Sequence, residues 1–369
     1  MKRRQFVTAL GAGSLTALAA CQPKATECSN KTTATQTKDE VIKWNMVTTW
    51  PKNFQGLGEG AEFLAKIINE MSGGRLQVKV FGSGELVPAL QTFDAVSSGT
   101  AEMGHGASYY WRGKMPGAPF FTTIPFGMNT VETNAWLIKG GGYELWRELY
   151  EPFGVVPFIG GTTGVQMAGW FNKEINSLAD LKGLRMRIPG LGGEVLGRAG
   201  GTPVLRPGNE IFTALETGNI DAAEWVGPYN DLALGLYKAA KYYYYPGWHE
   251  PGTNLEVLVN QKALAALPDD LKAIVKQACH AAFVEMIAEF TAKNNQALKV
   301  LVEEHNVQLR KLPDDVLNTL QDLSKEVVLE EAANDPMAQK ILKSYEDFST
   351  DVRAWEKISE FAYTDLINK

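Results

Sequence analysis

One eight-residue pattern occurs twice along the chain and limits the folds open to it. Ala95-Val96-Ser97-Ser98-Gly99-Thr100-Ala101-Glu102 is echoed by Ala214-Leu215-Glu216-Thr217-Gly218-Asn219-Ile220-Asp221. Each copy reads as a helix ended by Gly, which takes the left-handed C-terminal position without a Cβ penalty. A short apolar segment follows, with an acid at the same offset. Helix, Gly and strand follow one another often enough for the echo to be coincidence. The other reading is two lobes built on one plan.

The flanking patterns fit that plan. Residues 41–47 alternate as a strand, 58–71 read as an amphipathic helix, 76–81 as a strand and 87–98 as a helix. Strands alternating with helices imply a largely parallel α/β sheet. Residues 255–260 form a last strand, and helices follow it. Leu267-Pro268-Asp269-Asp270-Leu271 and Leu312-Pro313-Asp314-Asp315-Val316 place Pro and acids in a first turn, where a missing amide costs nothing and negative charge suits the helix dipole. These helices are expected to run to about residues 304 and 333. A final helix from about residue 336 carries Ile341, Tyr345, Phe348, Val352, Trp355, Ile358 and Ala362 at spacings of three and four, a stripe for the protein's own lobes or for another chain.

Location is written at the start. Lys2-Arg3-Arg4-Gln5-Phe6-Val7 followed by a weakly apolar stretch is a twin-arginine type export signal. The stretch is too short and too rich in Gly and Ala to span a bilayer of ~30 Å hydrocarbon. Leu18-Ala19-Ala20-Cys21 resembles a lipobox, which implies cleavage before Cys21 and lipid attachment to it; an ordinary signal peptide cut near Ala20 is the alternative. The polar residues 25–38 read as a flexible tether. The expected organisation is a signal over 1–20, a tether over 21–40, a first lobe over 41–160, a second over 161–253, and a crossover strand with shared long helices over 254–369.

Composition narrows the function. Of 369 residues, 45% are hydrophobic and 21% charged, an ordinary water-soluble balance. The formal charge is −6, and −9 once Lys2, Arg3 and Arg4 leave with the signal, which argues against a nucleic-acid partner. The three cysteines imply no disulfide framework. Cys279 and His280 are helical neighbours whose side chains diverge by ~100°, so they make no nucleophile and base pair. No HExxH, P-loop, GxSxG or helix-opening GxGxxG is present. An enzyme has no motif here to stand on.

Three segments carry more. Gly160 to Phe171 joins loop glycines to Gln166 and an aromatic pair. Gly183 to Gly190 alternates, placing Arg185 and Arg187 on one face. Ala222 to Tyr229 sets Glu224 beside Trp225, and Tyr242 to Trp248 leads to Glu250. An arginine fork can donate two parallel hydrogen bonds to a carboxylate. Two glutamates and an amide oxygen, if they converge, form a hard-oxygen cage for Na⁺ or Ca²⁺. Spacing alone does not bring positions 166, 187, 224 and 250 together, and each charge read singly could be an ordinary surface group.

Gly84-Glu85-Leu86-Val87-Pro88, Tyr109-Tyr110-Trp111, Thr163 to Met167, Gly183 to Arg187, Ile220 to Pro228 and Tyr243 to Trp248 together resemble the substrate-binding subunits of TRAP transporters. The likeness runs from about Val41 to the C-terminus and points to the branch that binds 2-oxo acids such as pyruvate, or lactate, with a cation. It implies a two-lobed periplasmic-binding-protein type II-like α/β fold with mixed sheets, an interlobe cleft and extra C-terminal helices, and no catalysis. By resemblance Arg187 holds the substrate carboxylate and Gln166 touches substrate and cation. Glu224 and the Trp225 carbonyl bind the metal, Glu250 completes the site, and Tyr109 or Tyr110 lines the first lobe. Here Trp111-Arg112 departs from the branch's Tyr-Trp. The implied partners are a small organic acid, the membrane permease subunits and, through the last helix, a second copy of the chain. Alternatives are a sugar acid or dicarboxylate met by Arg185, Arg206 or Asn230, a sensor's ligand-binding partner, and a periplasmic enzyme.

Overall fold

The computed structural model describes residues 41–368, so the signal, Cys21 and the tether lie outside the described residues. Among the described residues there are eleven strands: β1 (Ile42–Thr48), β2 (Leu76–Phe81), β3 (Met103–Gly106), β4 (Val155–Thr162), β5 (Gly169–Phe171), β6 (Arg185–Arg187), β7 (Thr202–Val204), β8 (Ala222–Ala223), β9 (Tyr242–Tyr245), β10 (Asn254–Asn260) and β11 (Gln308–Lys311). They form two sheets, ordered β2-β1-β3-β10-β4 and β11-β9-β5-β8-β6-β7.

Read from opposite ends, the sheets have the same plan. In each, the first strand lies between two parallel partners, β2 and β3 around β1, β7 and β8 around β6. The third strand then meets an antiparallel one, β10 beside β3 and β5 beside β8, and a further antiparallel strand follows, β4 and β9. The repeated motif marks the same junction in both. Gly99 and Gly218 have φ of 79° and 70°, where a side chain would be strained. Past them, Ala101 N–H donates to Ala95 O at 3.1 Å and Ile220 N–H to Ala214 O at 3.2 Å. The acid at the common offset does the same work twice: Glu102 accepts the Asn45 amide at 2.8 Å, and Asp221 the Arg185 amide at 3.0 Å.

The longer helices each bury one stripe of side chains. Leu57–Met71 turns Leu57, Ala61, Leu64, Ala65 and Ile68 inward. Leu64 is fully buried, so Leu64→Ala removes about 2–5 kcal/mol. The Asp269–Lys299 helix, extended by a wider turn over Val300–Glu304, packs on β4 and on the Leu57–Met71 and Pro228–Leu234 helices, touching both lobes. Asp314–Ala333 and Pro336–Glu356 pack on each other. Among the described residues no helix is long and apolar enough to cross a membrane.

Four expectations need correction. The helix expected from residue 87 starts at Thr92, because Pro88 leads into a tighter turn at Ala89–Gln91. The chain is not all helix after β10: β11, polar and at the sheet edge, pairs with β9 through the backbone. The alternating 183–190 segment is a strand only at Arg185–Arg187, since Gly190 opens a helix reaching Arg198. The last helix stops at Glu356 and a second, Glu360–Ile367, follows.

Candidate functional site

Backbone hydrogen bonds gather segments that sequence leaves far apart. Parallel pairing sets Arg187 on β6 against Ala223 on β8, and the Glu224 amide donates to the Arg187 carbonyl at 3.1 Å. From the loop before β5, Gln166 N–H donates to Glu250 O at 3.1 Å, Met167 N–H to Val226 O at 3.0 Å and Ala168 N–H to Tyr244 O at 2.8 Å. Positions 166, 187, 224 and 250 are thereby brought to one place.

The two arginines of β6 share a face but not a fate. Arg185, at the outer end, is exposed and clasps Asp221 at 2.7 and 3.0 Å. Arg187, further in, is 1% exposed. Its guanidinium donates to Arg206 O at 3.1 Å, Glu224 O at 3.2 Å, the Tyr110 hydroxyl at 3.3 Å and the Glu224 carboxylate, and it lies 5.2 Å from the Trp225 ring centroid. Burial opposes its charge, yet Glu224 and then Tyr110 and Tyr109 hold its pKa above the ordinary value.

Around Arg187 stand two buried carboxylates. Glu224 also meets His249 Nε2 at 3.2 Å, and Glu224, His249 and Glu250 each place a ligand-type atom within 4.8 Å of the others. Glu250 accepts from Thr253 Oγ1 at 2.5 Å; burial and then the Glu224 charge push its carboxyl up to about 7. Gln166 donates its amide nitrogen to Thr163 Oγ1 at 3.1 Å and Thr253 Oγ1 at 3.2 Å. With the nitrogen so anchored, its Oε1 is buried with no protein donor.

Tyr109 and Tyr110 close the site from the first lobe, ring edge to ring face with centroids 4.7 Å apart. Burial, helped for Tyr109 by Glu250, keeps both hydroxyls protonated well beyond neutral pH. Behind them Glu256 of β10 accepts from Ser108 Oγ at 2.9 Å, Tyr150 at 2.9 Å and the Trp111 indole, so one carboxylate grips the tyrosine turn at both ends. Burial pushes Glu256 to about 7. Trp50, Tyr109, Tyr110, Gln166, Trp225 and Thr253 line a cavity of about 10 Å³. A groove of about 750 Å³ between the C-terminal helices and the turn at Phe126 is far larger, but Glu224, His249 and Glu250, the cluster suited to an ion among the described residues, are not in its lining. The small cavity adjoins the converging charges, since Tyr110 and Trp225 of its lining both touch Arg187, and it marks the candidate site.

The alternative anion-binding groups are engaged elsewhere: Arg185 with Asp221, Arg206 with Glu210 at 3.3 Å, and the Asn230 amide nitrogen with Gln55 O at 2.8 Å. Sequence reasoning missed His249, Thr163, Thr253, Asp231 and Glu256. Thr163 and His249 lay within segments already singled out, while Thr253, Asp231 and Glu256 did not.

Two α/β lobes closed on buried charges and an unsatisfied amide oxygen define a solute-binding protein of the two-lobed type. The chain belongs to the bacterial extracellular solute-binding protein family 7, whose profile matches residues 46–335. It is 43% identical over 367 residues, 99% of each chain, to a monocarboxylate 2-oxoacid-binding periplasmic protein of a Nostoc species. A Colwellia psychrerythraea TRAP periplasmic solute-binding protein, solved with calcium and pyruvate, is 46% identical with a TM-score of 0.85. Its counterpart from Pseudoalteromonas atlantica, solved with sodium and pyruvate, is 46% identical with a TM-score of 0.86. Each structural match covers 88% of this chain and 99% of the other.

Proposed function

We propose that this protein captures a small 2-oxo or 2-hydroxy monocarboxylate of the pyruvate or lactate type, with Na⁺ or Ca²⁺, and delivers it to the membrane permease subunits of a TRAP transporter. The observation that carries this reading is the cluster itself: one buried arginine and two buried carboxylates, with the unsatisfied Gln166 Oε1 beside them at a small cavity. Arg187 anchors the acid's carboxylate through its planar fork. Gln166, Glu224, the Trp225 carbonyl and Glu250 hold the cation as hard oxygen donors. Gln166, Glu250 and the Tyr109 and Tyr110 hydroxyls complete the contact with the acid.

Charge explains why a cation belongs there. Ionised, Glu224 and Glu250 outweigh Arg187 by one negative charge, and a bound monocarboxylate adds another. Na⁺ halves that excess and Ca²⁺ cancels it, in surroundings where an unbalanced charge is costly. The relatives solved with pyruvate hold one or the other ion. Calorimetric titration of dialysed protein with pyruvate and lactate across Na⁺ and Ca²⁺ concentrations tests the reading. Affinity is expected to rise with cation, and much less so in Glu224→Gln and Glu250→Gln, because acid and metal must tighten each other by one factor. Tight binding in chelator without alkali metal would show these groups to be structural.

The protein acts in the periplasm as a lipoprotein exported by the twin-arginine route and anchored at Cys21. Cys21→Ala is expected to move it from the membrane fraction to the soluble one with affinity unchanged; a soluble wild type overturns the anchor. A second copy of the chain covers the C-terminal helices, where Trp355, Ile358, Phe361 and Leu366 are 49–72% exposed. Light scattering is expected to give twice the monomer mass, and a monomer at micromolar concentration rejects this pairing.

A further inference from the structure

We infer that Asp231 is a positioning residue for the cation: it sets the plane of the Trp225–Val226 peptide and so aims the Trp225 carbonyl into the site. The inference rests on the proposed reading that this carbonyl is a cation ligand. Asp231 lies on the Pro228–Leu234 helix, 1% exposed; its charge acts on that of Glu224, but its hydrogen bonds go to none of the cage side chains named above. Its Oδ1 accepts the Val226 N–H at 3.2 Å, while Oδ2 accepts the Trp170 indole N–H at 2.9 Å and the Tyr243 hydroxyl at 2.7 Å.

The geometry of the peptide bond does the rest. In a trans peptide the N–H and the preceding C=O point to opposite sides of the chain. An Asp231 that holds the Val226 N–H on one side therefore turns the Trp225 carbonyl to the other. The neighbouring backbone groups are already committed: Glu224 N–H to Arg187 O, Glu224 O to the Arg187 guanidinium, and Val226 O to Met167 N–H. Among the described residues no donor meets the Trp225 carbonyl. Asp231 is itself locked, since Trp170 and Tyr243 stack with ring centroids 4.1 Å apart and both are fully buried. Indole and backbone N–H groups can only donate, so both carboxylate oxygens are needed as acceptors.

That requirement makes Asp231→Asn informative. The amide NH₂ must face either the Trp170 or the Val226 N–H, and one of the two loses its acceptor. Outer groups that orient metal ligands commonly govern about 10- to 100-fold in metal affinity. Pyruvate binding by the full-length protein is titrated at a series of CaCl₂ and NaCl concentrations, with Glu224→Gln beside it. In Asp231→Asn the cation concentration giving half the maximal pyruvate affinity is expected to rise about tenfold or more. Pyruvate affinity at saturating cation stays within about threefold of wild type, a split that a general loss of packing would not give. Tyr243→Phe, which removes one donor and keeps the ring, is expected to shift the cation requirement in the same direction by less, and decides the matter if Asp231→Asn does not fold. A cation requirement unchanged in both variants, or an equal loss at every cation concentration, overturns the role of Asp231. If the wild type needs no cation, or Glu224→Gln needs it as the wild type does, the metal reading fails and takes this inference with it.

Discussion

Val47 and His105 hold in the first sheet the register positions that Arg187 and Glu224 hold in the second. Counting starts from the paired acids: three residues beyond Glu102 and Asp221 lie His105 and Glu224, and two beyond the amides those acids accept lie Val47 and Arg187. Both pairs are fully buried. His105 is enclosed by structure, its Nδ1 accepting the Trp50 indole at 2.6 Å and its Nε2 facing Gly160 O at 3.3 Å. Glu224 instead meets Arg187 and His249 at the cleft. One backbone plan can thus serve as support in one lobe and as a charged site in the other, and the difference lies in two side chains.

The largest expected break in this comparison is at Arg187. Arg187→Lys should weaken pyruvate binding tenfold or more, because a point charge does not replace a planar fork. Arg185→Lys, on the same face but paired outward with Asp221, should change it little. Equal impairment of the two in calorimetry would dissolve the distinction between inner and outer arginine.

His105 sharpens the comparison through pH. Burial lowers its pKa from 6.5 to about 4, so the unfolded chain takes up a proton first as the medium is acidified. The stability it contributes is full above pH 6.5 and is lost as pH falls to about 4, an effect of a few kcal/mol at most. His105→Gln, which cannot titrate, should flatten thermal stability over that window while leaving the cation dependence of binding intact. A melting curve as steep with pH as the wild type's would remove His105 from the account.

Arg112 is expected to have the smallest effect. It follows the tyrosine turn of the first lobe and reaches Glu194 at 2.7 Å, on the Gly190–Arg198 helix of the second, and Glu331 at 2.6 Å. Partly exposed pairs of this kind contribute about 0–1 kcal/mol, so Arg112→Gln should lower acid affinity by no more than about fivefold by easing the lobes apart. A tenfold loss would place Arg112 in the site itself.

Much of this fold was legible where periodicity and burial agree. The strand at 76–81 and the helix near 58–71 follow directly from their spacing, and the echoed motif marks matching junctions in both sheets. β11 was not legible, because Gln-Leu-Arg-Lys is a polar edge strand held by backbone pairing to β9. Site residues were legible only through segments of odd composition. Asp231 and Glu256 carry no signal of their own in the sequence, and what distinguishes them, three donors each, exists only once the chain has folded.

The cavity of about 10 Å³ has a kinetic meaning. Such a space suits a single water and no organic acid, so loading and unloading both wait on a separation of the lobes. Raising the acid concentration then speeds capture only until that separation becomes the slow step, after which the observed rate levels off. Release follows the same clock and cannot be hurried by dilution. A binding protein of this kind meters its ligand by the opening of its own lobes.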